Sequence, residues 1–275
     1  MSEENKFSLI DLGELNDVVN NLMNKLADAV GWIACHETPK RTAINTYIDE
    51  IKAMDINPLE KAALISNAKK TIKEYSNQQN IFEKAINLLE STATPQGVDD
   101  DWLSKFMDRA KNVSSEQFQQ IWAKILAREC NEPGSIPVVL IYALEKMDKD
   151  DAQTFTSLCR ISVKLEDLSS PIFIQDKMEI YKEKLDINFD RLLNLKAAGL
   201  IEMSLGVLSN GYAIGTNSLP AEVIYYDHKY ELTEKNDISV GNVLFTKAGQ
   251  ALYESIEVEE LEGFWEDVCL PFWDN

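Results

Sequence analysis

Apolar side chains recur at three- and four-residue intervals along the first half of this chain, a spacing that favours helices over strands. Between residues 9 and 34 the apolar positions include Leu15, Val19, Leu22 and Leu26, and the intervening positions are rich in asparagine and aspartate. The spacing puts the apolar side chains on one helix face. Helices that bind anionic lipid carry lysine on the polar face. We therefore expect this face to pack in the protein core, with a partner helix or a membrane surface as the alternatives.

Polar residues that cap helices mark where several further helices begin. Asn57 precedes a proline, and Asp99 begins a run of three aspartates before a tryptophan. Ser114 is followed three residues later by Gln117, the spacing of a capping box, and Asp148 is followed at the same distance by another aspartate. Such side chains accept hydrogen bonds from the free backbone N–H groups of a helix start. The signals predict short helices in quick succession, which is typical of a compact bundle.

The core of this bundle is predicted around three large aromatic residues: Trp102, Phe118 and Trp122. The helix that contains Trp122 also carries isoleucine and leucine at helical spacing. Aromatic side chains of this size bury a large apolar area, so we expect them to form the centre of an apolar cluster.

The pattern changes after residue 160. A helix predicted over 187–198 ends at Gly199, a residue type suited to the left-handed conformation that ends helices, and strands are predicted at 201–203, 222–230 and 243–245. This helix, the strands that follow it and a helix start with the pattern Thr246-x-x-Gly249-x-x-Leu252 resemble a winged-helix arrangement. The predicted fold is therefore mainly α, a helical bundle body followed by a winged-helix-like α+β C-terminal module.

Three regions follow from these patterns. Residues 1–97 are predicted as an N-terminal helical region, 98–159 as a helical core with the Trp122 block, and 160–275 as the winged-helix-like module with an acidic, aromatic tail.

Net charge argues against nucleic acid as the default partner. The chain has 46 acidic and 27 basic residues, a net charge of −19. Residues 160–275 alone are net −11. Such a chain repels phosphate backbones, so nucleic-acid binding is not expected. No signal-peptide pattern and no 18-residue apolar run occurs, which predicts a cytoplasmic protein without a membrane span.

Residues that could perform catalysis or bind metal are scarce. There are four cysteines without a CxxC pair and only two histidines, His36 and His228. Cys35 and His36 are neighbours, but no second Cys/His cluster could complete a tetrahedral metal site. Phosphate-loop, zinc-protease and serine-hydrolase motifs are also lacking. We therefore predict no catalytic residue, no metal ligand and no cofactor.

The C-terminal segment 254–275 combines eight carboxylates with no lysine or arginine. It also contains four large aromatic residues: Phe264, Trp265, Phe272 and Trp273. Large aromatic side chains are rarely left in water. Either they pack on the protein's own body, or they anchor into a basic partner or a second copy of the chain; mimicry of DNA by the carboxylates is a further alternative.

A second candidate surface lies in the run Tyr225–Tyr230. Alternation along a strand would place Tyr226, His228 and Tyr230 on one face. This face could bind a partner, or it could be an exposed edge or wing.

Residues 98–159 contain a series of short motifs: Val98-Asp99-Asp100-Asp101-Trp102, Val113-Ser114, the block Gln119-x-x-Trp122-Ala123-x-Ile125-Leu126-Ala127-x-Glu129, Pro133-Gly134-Ser135 and Asp151-Ala152-x-x-Phe155-x-x-Leu158-Cys159. In these motifs the segment resembles an uncharacterised bacterial family of unknown function that is related in pattern to abortive-infection alpha-type proteins. The resemblance implies a link to phage defence, and no enzyme activity or catalytic residue.

Three functions are compatible with these observations. The leading hypothesis is a non-enzymatic interaction or sensor protein, in phage defence, that binds a protein partner or forms a homo-oligomer. The second is a winged-helix regulator that binds DNA, although its recognition helix would offer Arg191 and Lys196 against Asp186 and Asp190. The third is a metal-dependent nuclease or hydrolase with an unfamiliar carboxylate site.

Overall fold

The computed structural model describes residues 15–34, 41–204, 206 and 211–274. The fold is mainly α, with a small amount of antiparallel sheet in the C-terminal part. The chain divides into two compact units, Met1–Ile136 and Pro137–Asn275. The limits predicted from the sequence, after residues 97 and 159, stay predictions.

Within the described residues, the first unit is built from helices. They are α1 (Leu15–Val30), α2 (Arg41–Ala53), α3 (Pro58–Ile86), α4 (Asp100–Ala110) and α5 (Glu116–Asn131). Helix α3 packs against α5 and α2, and α1 packs against α4. The face of α1 with Val18, Val19, Leu22 and Leu26 is buried, as expected for core packing.

Trp122 lies at the centre of the first unit's core. Its ring lies 5.0 Å from that of Phe106, which stacks on Trp102 at 5.1 Å. All three side chains are buried, whereas Phe118 is only half-buried. Phe118 therefore belongs to the margin of the core rather than to its centre.

The predicted helix starts hold in most places. Asn57 and Asp99 cap α3 and α4 by accepting hydrogen bonds from backbone N–H groups two and three residues on. The capping box at Ser114 does not form. Helix α5 begins at Glu116 with Ser115 as its cap residue, because the Ser114 hydroxyl accepts a hydrogen bond from Asn77 Nδ2 at 3.2 Å instead.

Glu129 holds the turn that follows α5. Its carboxylate is buried and accepts hydrogen bonds from the backbone N–H groups of Gly134 (2.7 Å) and Ile136 (2.8 Å). Burial raises the pKa of Glu129, and the two N–H donors partly oppose that shift. Trp102 Nε1 donates to the Ile136 carbonyl at 3.0 Å. These bonds tie the turn to α4 and α5.

The second unit mixes helices and short strands. Its described helices are α6 (Val138–Lys146), α7 (Lys149–Arg160), α8 (Met178–Leu185), α9 (Phe189–Ala198), α10 (Lys247–Tyr253) and α11 (Leu270–Trp273). Its described strands are β1 (Ser162–Leu165), β2 (Leu168–Pro171), β3 (Ile201–Met203), β4 (Tyr212–Gly215), β5 (Ala221–Tyr225), β6 (His228–Leu232), β7 (Asp237–Gly241) and β8 (Val243–Phe245). Asp148 caps α7 in the predicted capping box, and Gly199 ends α9 in the left-handed conformation.

Within the described residues these strands form three antiparallel sheets. One sheet has the strand order β2-β1-β5-β6, and β3–β8 and β4–β7 form two-stranded ladders. The single strand predicted over 222–230 is wrong: Tyr226 and Asp227 form a two-residue turn, and the run is the β5–β6 hairpin. The φ of Tyr226 is 50°, a left-handed conformation uncommon for a tyrosine, which is why periodicity alone missed the turn.

The Thr-x-x-Gly pattern before α10 has a clear physical reason. Thr246 accepts a hydrogen bond from Gly249 N at 3.1 Å and donates to the Gly199 carbonyl at 2.6 Å. A Cβ at Gly249 would lie 2.1 Å from the Leu200 carbonyl oxygen. Only glycine fits, so the pattern fixes the start of α10 against the residue that follows α9.

We expect Trp122→Ala to lower the free energy of unfolding by about 3–5 kcal/mol, because a fully buried indole leaves a cavity that the core cannot fill. Phe118→Ala should cost clearly less, because its ring is already half in water. Urea denaturation of both variants measures the difference. Equal losses would contradict the central position of Trp122.

Candidate functional site

The C-terminal segment folds back onto the second unit. Gly263, at a φ of 72°, turns the chain into a π-helical turn, Trp265–Cys269, which continues into α11. Phe264 and Trp265 at its start are both buried.

Tyr225, at the end of β5, is the side chain against which this segment packs. Its ring lies 5.9 Å from that of Trp265, nearly parallel to it, and 5.8 Å from that of Phe264. Its hydroxyl donates to the Arg160 carbonyl at 2.9 Å and accepts from Leu261 N at 3.0 Å. Burial raises the pKa of this hydroxyl well above its ordinary value. The phenol therefore stays neutral and serves as a structural hydrogen-bonding group.

Two of the four tail aromatics thus belong to the core. Phe264 and Trp265 are only 2% and 6% exposed, which supports packing on the protein's own body for these two side chains. Phe272 and Trp273, eight residues further along the chain, are half-buried.

Trp273 is held in place by three contacts. Its Nε1 donates to the Ser239 carbonyl on β7 at 2.9 Å. Its ring lies 5.0 Å from that of Tyr230 and meets Trp265 edge-on at 5.6 Å. The Tyr230 hydroxyl in turn donates to Asp274 Oδ1 at 3.4 Å. The tail aromatics and β6 therefore form one connected cluster.

A groove of 630 Å³ opens beside this cluster. We call it the aromatic groove; its lining residues are Gly211, Tyr212, Ala213, Tyr230, Glu231, Leu232, Thr233, Glu234, Lys235, Asp237, Ile238, Ser239, Phe272 and Trp273. Its walls come from β6, from the β4–β7 ladder and from α11. Four aromatic rings line it, and the charged lining residues are three carboxylates and one lysine.

The predicted face of Tyr226, His228 and Tyr230 forms only in part. Tyr226 lies in the hairpin turn, with its ring edge-on to Tyr225 at 4.9 Å. His228 and Tyr230 do share a face of β6, but the His228 ring stacks on Trp265 at 5.2 Å. Of the three, only Tyr230 lines the aromatic groove.

Sequence reasoning singled out three lining residues of the groove, Tyr230, Phe272 and Trp273, and missed the contribution of the β4–β7 ladder. Tyr212 gave no signal, because the strand that carries it is short and follows a glycine. Pairing of β4 with β7, more than twenty residues further along the chain, brings it to the groove.

The part of the chain that the structure describes contains no group of three or more His, Cys, Asp or Glu side chains placed to hold a metal ion. In the same part of the chain, Cys130, Cys159 and Cys269 are free and buried, and burial raises the pKa of Cys130 and of Cys269 to about 12. Cys35 and His36 lie outside the described residues. Among the described helices, none has the length and apolar character needed to cross a membrane.

Removing residues 262–275 should lower the melting temperature strongly, because the deletion uncovers Tyr225 and removes two buried rings. Trp265→Ala alone should cost about 3–5 kcal/mol of unfolding free energy. Trp273→Ala is the matched control and should cost less, since that indole is half-exposed. Thermal and urea denaturation give the comparison. A truncated chain as stable as the full one would contradict the packing described here.

The model of a family described as a protein of unknown function, DUF2806, matches residues 66–269. No curated protein matches the chain, and no solved structure does. Nothing in the match links the family to abortive-infection proteins. Because the match covers well over half of the sequence, the chain belongs to the DUF2806 family of proteins of unknown function.

Proposed function

We propose that this chain is a non-enzymatic interaction protein and that the aromatic groove is its partner-binding surface. The observation that carries the proposal is the groove itself. It is a concave space with a volume of 630 Å³, and its aromatic lining residues are Tyr212, Tyr230, Phe272 and Trp273. Binding sites for other molecules are concave and few per protein, and aromatic side chains commonly line them. Tyrosine and tryptophan are the side chains that most often dominate the energy of protein interfaces.

Two of the groove's aromatic rings, those of Trp273 and Tyr230, are held by contacts within the unit before any partner binds. Trp273 is fixed by its hydrogen bond to Ser239 and by its contacts with Tyr230 and Trp265. A rigid side chain loses little conformational freedom on binding. The groove is therefore suited to bind a partner without first having to rearrange.

We further propose that α8, α9, β3 and β8 form a winged-helix-like module adapted to protein contact. The order of two helices followed by an antiparallel strand pair supports this assignment. Helix α9 would be the recognition helix, and its outward side chains Phe189 and Leu193 are 49% and 41% exposed. An apolar outward face suits a protein surface better than a phosphate backbone.

The second candidate function, DNA binding, is disfavoured by the charges of α9. Its two cations are already paired within the unit: Arg191 Nη2 lies 2.9 Å from Asp186 Oδ2, and Lys196 Nζ lies 3.6 Å from Glu202 Oε2. Each phosphate contact needs a local cation. A metal-dependent nuclease or hydrolase remains the third candidate, without a specific observation in its favour.

The DNA alternative is tested by fluorescence anisotropy with labelled duplex DNA and the full chain, over a titration of salt from about 50 to 200 mM. We expect no submicromolar binding at the upper end. Submicromolar affinity with a steep loss on adding salt would show phosphate contacts and would replace the interaction proposal by the regulator.

The interaction proposal is tested with a matched pair of double variants. Phe272→Ala with Trp273→Ala removes two rings of the groove, and Phe189→Ala with Leu193→Ala removes two exposed apolar side chains of α9. Each tagged protein, after its melting temperature is checked, is used to enrich proteins from the native host with and without phage infection. We expect the groove variant to lose a reproducible partner that the wild type and the α9 variant retain.

Loss of the same partner with the α9 variant alone would move the binding surface to the winged-helix-like module. Retention of every partner by the groove variant would overturn the proposal for the groove. The defence setting rests on the sequence resemblance alone, and a partner that appears only after infection would support it.

A further inference from the structure

Strand β6 is the edge of its sheet. The strand order β2-β1-β5-β6 leaves one side of β6 without a neighbouring strand among the described residues. Tyr230, Glu231 and Leu232 of this strand line the aromatic groove. The groove therefore borders an open strand edge, where backbone N–H and C=O groups can pair with an added chain.

The hairpin register identifies which backbone groups lie on the open side. Tyr225 and His228 flank the two-residue turn, and such flanking residues exchange hydrogen bonds with each other. Pairs alternate along an antiparallel ladder, so Tyr230 also bonds to β5. The N–H and C=O groups of Lys229 and Glu231 consequently lie on the outer edge.

The face of β6 that carries Lys229 and Glu231 has an excess of negative charge. Glu231 stands directly opposite Glu222 on β5. The nearby Lys229 Nζ lies 2.7 Å from Glu222 Oε2, and no cation among the described residues pairs with Glu231. Like charges opposite each other destabilise a sheet, and opposite charges stabilise it. A cation arriving beside Glu231 would therefore be favoured.

The other face of β6 has the opposite character. Tyr230 and Leu232 alternate with Glu231 and point to the side on which Trp273 packs. Residues opposite each other on neighbouring strands share a face. A residue added opposite Tyr230 would thus enter the aromatic groove, and its neighbour in the added strand would meet Glu231.

On these grounds we propose that the aromatic groove binds an extended segment of a partner protein as an additional strand on the edge of β6, with basic and apolar side chains alternating along that segment. The inference rests on the proposed function and specifies the partner's chemistry. Charge complementarity carries the choice of occupant: residues 160–275 are net −11, and the groove is lined by Glu231, Glu234 and Asp237 against Lys235. A second copy of the chain would bring the same negative charge.

The test uses the full chain and a fluorescein-labelled ten-residue peptide in which valine and lysine alternate around one central phenylalanine. A control peptide of the same composition has all its lysines at one end. Binding is followed by fluorescence anisotropy at about 0.15 M salt, where long-range attraction is screened. We expect the alternating peptide to bind at least tenfold more tightly than the control. Equal binding of the two peptides would show that net charge alone explains their affinity, and it would overturn the proposal.

Two further peptides test the backbone pairing. One carries N-methyl groups on its lysine residues and the other on its apolar residues, so that each loses the N–H donors of one edge only. Because only one edge of an added strand faces β6, one of these peptides should lose binding and the other should keep it. If both bind alike or both fail, no strand is added.

Charge reversal on the protein completes the design. Glu231→Lys should weaken binding of the alternating peptide about tenfold, whereas Glu183→Lys on α8, an exposed glutamate elsewhere in the unit, should leave it within about twofold. Melting temperatures of both variants confirm that they fold. An equal effect of the two reversals would overturn the assignment to β6.

Analytical ultracentrifugation of the same proteins tests the other occupant. A dimer that Glu231→Lys dissociates would assign the edge to a second copy and overturn the inference. If the peptides fail while the groove variant loses its host partner, the interaction function stands and the β6 edge is not its site. If both fail, neither proposal stands.

Discussion

The second unit depends on how Tyr225 is buried. Its hydroxyl joins the carbonyl that ends α7, at Arg160, to the backbone N–H of Leu261, and its ring stacks on Trp265. A buried hydroxyl without partners would cost a few kcal/mol, whereas here both its donor and its acceptor capacity are used. Stacked rings add about 0.5–1.5 kcal/mol per pair beyond the area they bury. This single side chain therefore fixes the path of the C-terminal segment against the β5–β6 hairpin.

The aromatic groove is a consequence of that path. Once Trp265 is fixed against Tyr225, the following π-helical turn carries Trp273 to Tyr230 and to the Ser239 carbonyl. The four aromatic residues of the C-terminal segment 254–275 therefore have two different roles. The first pair, Phe264 with Trp265, stabilises the unit, and the second pair forms a wall of the surface that we propose for binding. A variant in the first pair would disturb both, which is why the functional tests use the second pair.

Sequence reasoning succeeded where the signal is local. The helical periodicity of α1, the cap at Asp99, the capping box at Asp148 and the helix end at Gly199 each depend on residues a few positions apart. It failed where a tertiary contact replaces a predicted helix cap, and where a hairpin turn lacks the residue types typical of turns. Ser114 bonds to Asn77, 37 residues earlier, instead of capping α5. The hairpin turn at Tyr226 lacks glycine. The groove itself combines segments that only strand pairing brings together, so no local pattern could have predicted its shape.

An exposed strand edge beside a groove is ordinarily a risk of self-association, because the same edge on another copy offers the same unpaired groups. In the binding mode that we propose, the charge around the edge determines which partner binds. Two copies that are each net −19 repel each other, and the opposed Glu222 and Glu231 add a local penalty at the edge. A basic extended segment would be attracted instead, because its cations would reduce the repulsion between Glu222 and Glu231 that exists before binding. In this proposal, the acidity that argues against nucleic acid is also the feature that favours a basic protein segment over a second copy of this chain.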